Sequence, residues 1–393
     1  MSRRGSNNVR KPNIAENLFL GCTVQEVPQL LPGLLLVAAL VAVVIFLTDF
    51  INKAIGISGL ISYILMVILI GIIIKNTVKI PAIFNPGINF CVRKLLRLGI
   101  IMLGIRLSFL DVLRIGAWGI PIVLVCILVG ILVTVYFGRL LKVPERLATL
   151  IAVGTGICGA SAIVATAPGI EAKDEEVTYA IANITIFGIL AMALYPFLAH
   201  TIFNNDMTMT GLFLGTAIHE TSQVTGAGMI YNQTFNITQF PSTLDIAVVT
   251  KLVRNVMMVI VIPVMSFVYA RRTGAFAGTG GNRVKKALQL FPLFIIGFLL
   301  LAVVRSIGDA GIQGGGPAFG IWSSDAWKSM TDTIKEWAGY ILAAAMAGVG
   351  LSTSFKSMKG LGIKPFYVGF FAAIMVGIVA VIMVSVLSRF VTL

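Results

Sequence analysis

Residues 154–162 read Gly-Thr-Gly-Ile-Cys-Gly-Ala-Ser-Ala and lie in the middle of an apolar stretch, with Pro168 following. Glycine at three of six positions is poor helix material. Inside a bilayer, a broken backbone survives only where protein covers it or a wet cavity lines it. Freed N–H groups at the start of a half-helix can hold an anion. Membrane carriers place their cargo sites at such breaks. The stretch therefore predicts a carrier whose cargo sits near this break.

Composition agrees with a membrane protein. Of 393 residues, 58% are hydrophobic and 12% are charged, whereas soluble domains carry about 25% charged residues. The predicted organisation is a tail and interfacial segment over 1–30, then one transmembrane unit over 31–393. Ser2–Lys11 is polar and basic, and 13–30 has the mixed pattern of an interfacial segment. The first apolar run begins near Leu30 and is too long for a signal-peptide core.

Eleven apolar spans are long enough to cross a bilayer core of about 30 Å. They cover roughly 31–49, 58–75, 95–112, 117–137, 147–168, 177–199, 208–230, 244–270, 288–306, 333–352 and 363–388. The fold class is thus an all-α polytopic membrane protein with about eleven transmembrane helices. The net charge of +14 belongs to cytoplasmic loops rather than to a nucleic-acid surface. With the N-terminus inside, inner segments hold twenty Lys and Arg and outer segments eight. This places the N-terminus in the cytoplasm and the C-terminus outside. The acidic loop Glu171–Glu176 falls outside in this count. The 200–207 loop falls inside although it contains no Lys or Arg.

Two internal similarities appear. Residues 102–121 (MLGIRLSFLDVLRIGAWGIP) match 346–365 (MAGVGLSTSFKSMKGLGIKP) at six of twenty positions, with a constant offset of 244. The spans concerned are an odd number apart, so the copies run in opposite directions, as in transporters with inverted repeats. At an offset of 61, Gly154-Thr-Gly-Ile resembles Gly215-Thr-Ala-Ile, and Ser161 falls opposite Ser222. Those spans are two apart, which makes them parallel unless the chain re-enters the membrane.

Charged residues inside spans are expensive and mark function. The seventh span carries His219, Glu220, Thr221, Ser222, Gln223 and Thr225, and the eighth carries Lys251, Arg254 and Asn255. Lys251 and Arg254 are three apart and share a helix face. Either Glu220 neutralises one of them or a bound anion sits between them. The two readings are compatible. The predicted substrate-binding set is Thr155, Gly159, Ala160, Ser161, Ser222, Gln223, Lys251, Arg254 and Asn255. His219 and Glu220 form the predicted ion- or proton-coupling pair, because histidine titrates near neutrality. Arg106, near the outer end of its span, is expected to snorkel toward the interface. Cys22, Cys91, Cys126 and Cys158 show no metal or disulfide spacing. No metal, cofactor or enzymatic chemistry is expected. The predicted partners are a small anion, H+ or Na+ as coupling ion, the lipid bilayer and other copies of the chain. An anion channel or a membrane sensor is the reading from another class.

These residues resemble the sulfate exporter family of bacterial inner-membrane proteins. The resemblance is carried by Leu98–Leu107, Cys158–Pro168, Gly215–Val224 and Lys251-Leu-Val-Arg254-Asn255, and it runs from about residue 30 to the end. It implies export of sulfate or a related sulfur oxyanion or sulfonate across the inner membrane. The chain is more distantly similar to bile-acid/sodium symporter-like transporters, at Gly159–Ser161, Asp174–Glu176 and Met346–Ser352. That similarity implies panel and core bundles, two broken helices crossing near the midplane, and sodium coupling to an organic anion.

Overall fold

A computed structural model describes residues 22–55, 62–273, 292–354 and 362–387. The basic tail at Ser2–Lys11 and most of the cationic segments 271–286 and 356–364 lie outside the described residues. The described chain is helical, and its strand-like pairing is an isolated bridge between Ala318 and Trp322. A short tight helix, Val24–Leu30, leads into α1 (Leu31–Ile55). There follow α2 (Tyr63–Thr77) and α3 (Asn85–Phe90), which passes through a widened turn into α4 (Leu96–Leu103). Then come α5 (Phe109–Leu140), α6 (Glu145–Gly156), α7 (Ala160–Thr166), α8 (Asp174–Ile202), α9 (Met207–Ala217) and α10 (Thr221–Thr234). The chain continues with α11 (Thr243–Val256), α12 (Met258–Thr273), α13 (Phe294–Gln313), α14 (Ser324–Ser352) and α15 (Lys364–Leu387). Five of the described helices are long and apolar enough to cross a membrane. The α11–α12 pair, bent by 41°, makes a sixth.

Polar caps set the starts of several of these helices, α5 and α11 among them. The Ser108 hydroxyl accepts from the Asp111 amide at 3.1 Å, and Asp111 accepts from the Ser108 amide at 3.1 Å. Ser242 and Asp245 repeat that reciprocal cap at the start of α11. Each cap satisfies amides that the first helical turn leaves without partners.

The helices pack as two groups. One comprises α1–α4, α13 and α14; the other comprises α5–α12 and α15. Close approach within the first group depends on small residues. A side chain added at Gly71 would lie 3.0 Å from the backbone of Gly350, so α2 and α14 meet almost backbone to backbone.

The fifth and seventh apolar stretches depart from the expected topology. Each doubles back on itself instead of running from one end of the bundle to the other. In the first, Gly154 packs on Ile163, and Cys158 at the tip meets Met258 at the start of α12. Further along α12, Ser266 faces Gly169, Tyr269 accepts from Arg146 at 3.2 Å, and Arg272 lies 3.8 Å from Glu145. Residues 145 and 169 therefore lie toward the same end. In the second, Thr243 donates to the Met207 carbonyl at 3.4 Å and Asn232 donates to Ser242 at 3.0 Å. His200, at the end of α8, stacks on Phe235. Residues 207 and 234 thus also share one end, and it is the opposite end, because α11 and α12 run between the two. The chain forms two hairpins that enter from opposite ends and meet tip to tip. This explains why the stretches at offset 61 seem parallel when each is counted as a full span.

Arg106 does not snorkel. Its Nε lies 2.8 Å from Asp245 Oδ1, as a close ion contact off hydrogen-bond alignment, and its guanidinium sits 4.6 Å from the Phe240 ring centroid. The Asp245 side chain is fully buried. Asp245→Ala removes both the ion contact and the α11 cap. It should cost about 3 kcal/mol, more than Arg106→Ala, in thermal melts of the detergent-solubilised protein.

Candidate functional site

The two hairpin tips break in the same register. The first tip is Ile157–Gly159 and the second is Ile218–Glu220, which is the offset of 61 seen in the sequence. Gly159 turns the first tip at φ 70°, ψ −129°, a region that only glycine populates freely. A side chain there would also press on Glu220.

Each break ends a half-helix and leaves carbonyl oxygens without amide partners. In hydrocarbon each such group costs several kcal/mol. Lys251 and Arg254, both fully buried, supply the missing donors. Lys251 Nζ donates to Ile157 O at 3.0 Å, to Ile218 O at 2.9 Å and to His219 O. Arg254 Nε donates to Gly156 O at 3.0 Å. Its Nη1 donates to Ile218 O at 3.2 Å and to Thr216 O, and its Nη2 donates to Thr155 O. Each cation therefore grips both hairpins. Their one-turn spacing on α11 matches the two levels of exposed carbonyls.

Electrostatics point the same way. A helix C-terminus carries roughly half a negative charge. Two such ends converge here, and together they offset about one of the two cations. Glu220 is the nearby source of a further negative charge. Neither cation makes an ion pair within 4.0 Å among the described residues. Instead Glu220 Oε1 accepts from the Ala160 amide at 3.3 Å, at the start of α7. The carboxylate of one tip thereby occupies the N–H end of the other.

The remaining expected site residues surround this crossing. Gln223 accepts from the Glu220 amide at 3.1 Å and donates to the Thr185 carbonyl at 3.1 Å. Asn255 donates to the Thr221 hydroxyl at 3.0 Å. Thr155 contributes its carbonyl, and Ser222 is buried in the first turn of α10. His219 is buried, and its carbonyl serves Lys251. Ser161 is exposed, while Ala160, Glu220 and Thr221 are half-buried. These four form the accessible edge of the crossing. The carbonyl groups of Gly156, Ile157, Thr216 and Ile218 are essential to the arrangement but carry no side-chain signal in the sequence. Thr216 falls opposite Thr155 at the same offset of 61, and that position was available to sequence reasoning. Among the described residues, no three of His, Cys, Asp and Glu come together as a metal-binding group.

A family model described as "Conserved hypothetical protein 698" matches residues 32–369. A UPF0324 membrane protein of Fusobacterium nucleatum is 30% identical over 321 residues, covering 81% of this chain and 89% of its own. One from Corynebacterium glutamicum is 33% identical over 305 residues, covering 76% and 78%. Another from Bacillus cereus is 31% identical over 318 residues, covering 81% and 85%.

Proposed function

The chain belongs to the conserved hypothetical protein 698 family of membrane proteins, and from that premise we propose that it is a secondary active transporter of a small anion. The observation that carries this reading is the pair of opposed hairpins whose tips meet at two buried cations. Broken helices meeting inside a membrane protein are the usual setting for a carrier's cargo site. With Glu220 protonated, about one positive charge remains there and favours an anion, and a sulfur oxyanion or sulfonate fits the small polar edge formed by Ala160, Ser161 and Thr221.

In this mechanism Lys251 and Arg254 act from behind the carbonyl ends, holding the tips and supplying positive potential. Glu220 occupies the Ala160 amide when cargo is absent. An arriving oxyanion competes with that carboxylate for the amide and the Ser161 hydroxyl. Protonation of Glu220, with His219 adjacent in the chain, removes the competitor, so that a proton travels with the anion. Alternating access follows when the hairpin-bearing group moves against the group of α1–α4, α13 and α14. Of the three connections between the groups, Gly104–Ser108 joins α4 to α5 and the one after Thr353 joins α14 to α15. The similarity at offset 244 falls on these two links and supports an inverted repeat.

The hairpins also refine the proposed orientation. Doubling back moves the 200–207 connection, which has no Lys or Arg, to the outer side. It moves Lys173 to the inner side. Both changes follow the positive-inside rule. The termini stay on opposite faces, with the N-terminus inside a bacterial inner membrane.

Flux of labelled sulfate, sulfite and a taurine-like sulfonate into proteoliposomes tests the reading. At least one should move with saturable kinetics and respond to a pH gradient. Glu220→Gln should bind cargo yet lose at least tenfold of its pH-gradient response, as expected when a general acid–base group is removed. A response to a sodium gradient alone would favour a sodium-coupled organic-anion symporter. Currents far above carrier turnover would favour a channel.

A further inference from the structure

A second site, distinct from the crossing and independent of the transport reading, lies at the base of the first hairpin. The end of α5, the start of α6 and the end of α12 enclose a cavity of about 380 Å³. Its walls include Val135, Met265 and Val268, and its rim carries Arg139, Arg272 and one carboxylate, Glu145. Arg139 is exposed and has no carboxylate within 4.0 Å among the described residues. Arg272 reaches Glu145 only at 3.8 Å, with both side chains more than 40% exposed. Such a loose exposed pair contributes little, and the rim keeps a net positive charge.

The two long helices that line the cavity also carry exposed apolar residues suited to lipid tails. On α5, Leu132, Tyr136 and Leu140 are all exposed, and on α12 so are Val264 and Phe267. The cavity thus places a cationic rim beside exposed apolar residues of the same two helices. We infer that it binds an anionic phospholipid, with the phosphate between Arg139 and Arg272 and the glycerol-proximal methylenes against Val135, Met265 and Val268. Guanidinium groups suit a phosphodiester through paired N–H donors. Basic pockets on the cytoplasmic side of membrane helices hold such headgroups. A seated lipid would tie the base of the first hairpin to α5 and α12.

The test is native mass spectrometry of the full-length protein in detergent. Titrations use phosphatidylglycerol and phosphatidylethanolamine of equal chain length, with glycerol phosphate and inorganic phosphate as soluble competitors. Phosphatidylglycerol should bind about tenfold more tightly than phosphatidylethanolamine. The Arg139→Gln/Arg272→Gln double variant should lose that preference, whereas Arg305→Gln at the other end of the bundle should keep it. Both replaced arginines are exposed, and an unchanged melting temperature in lipid-free detergent confirms the fold. Met265→Trp, which fills the cavity and leaves the rim intact, should also lose the preference. Equal binding of the two lipids would overturn the assignment. So would an unchanged preference in the double variant, or displacement of the lipid by millimolar glycerol phosphate or inorganic phosphate.

Discussion

Replacing Arg254 with alanine should destabilise the whole protein, not merely slow its turnover. The side chain is fully buried and donates to four backbone carbonyls drawn from both hairpins. Removing it leaves those acceptors in a dry interior, where each lost hydrogen bond to a charged group is worth about 1.5–3 kcal/mol. Relaxation of the tips recovers part of that, and a net loss of about 3–5 kcal/mol is expected. Thermal melts in detergent should fall by roughly 10 °C. Lys251→Ala should lose somewhat less, because it serves three carbonyls. Arg254→Lys should fall between wild type and Arg254→Ala, since an ammonium has three donors on one nitrogen and cannot reproduce the spread of the guanidinium over four carbonyls. If Arg254 served cargo alone, the alanine variant would lose flux and melt within about 2 °C of wild type. Normal stability together with normal flux would remove both cations from the account.

Gly159→Ala is the second large effect. Its backbone, at φ 70° and ψ −129°, costs a residue with a side chain about 1–3 kcal/mol. The added methyl would also crowd Glu220, whose Oε1 would lie only 3.1 Å away. The carboxylate would be driven off the Ala160 amide. A loss of about 2–3 kcal/mol and at least tenfold lower flux are expected. Gly339→Ala is the matched control. That position lies inside α14 with open space around it, so alanine should stabilise by about 0.5–1 kcal/mol. Equal behaviour of the two variants in melts and flux would show that the first tip does not depend on its glycine.

The glycine-rich break was legible because backbone breaks need particular residues. The shared face of Lys251 and Arg254 was legible because helical spacing fixes it. What those cations grip was not legible, since every residue carries a carbonyl and the pattern of side chains does not mark which ones are freed. The direction of the broken stretches was hidden for another reason. An apolar run of some twenty residues reads alike whether it crosses once or folds into two short arms. One sign was present: the 200–207 connection lacks Lys and Arg, which fits an outer loop better than an inner one. Arg106 illustrates long-range pairing. Its partner Asp245 is far away in sequence, and local reading offered only solvent.

The opposed hairpins are the foundation of the proposed site, and labelling with a membrane-impermeant thiol reagent tests them most directly. Single cysteines at Lys142, Ala172, Asn205 and Gln239 are placed in a background lacking the four native cysteines, and reactivity is compared in right-side-out and inverted vesicles. The hairpins predict that positions 142 and 172 react from one face, and 205 and 239 from the other. Reaction of 142 and 172 from opposite faces, with 205 and 239 likewise divided, would mean that both stretches cross the membrane fully. The tip-to-tip crossing at Lys251 and Arg254 would then be wrong.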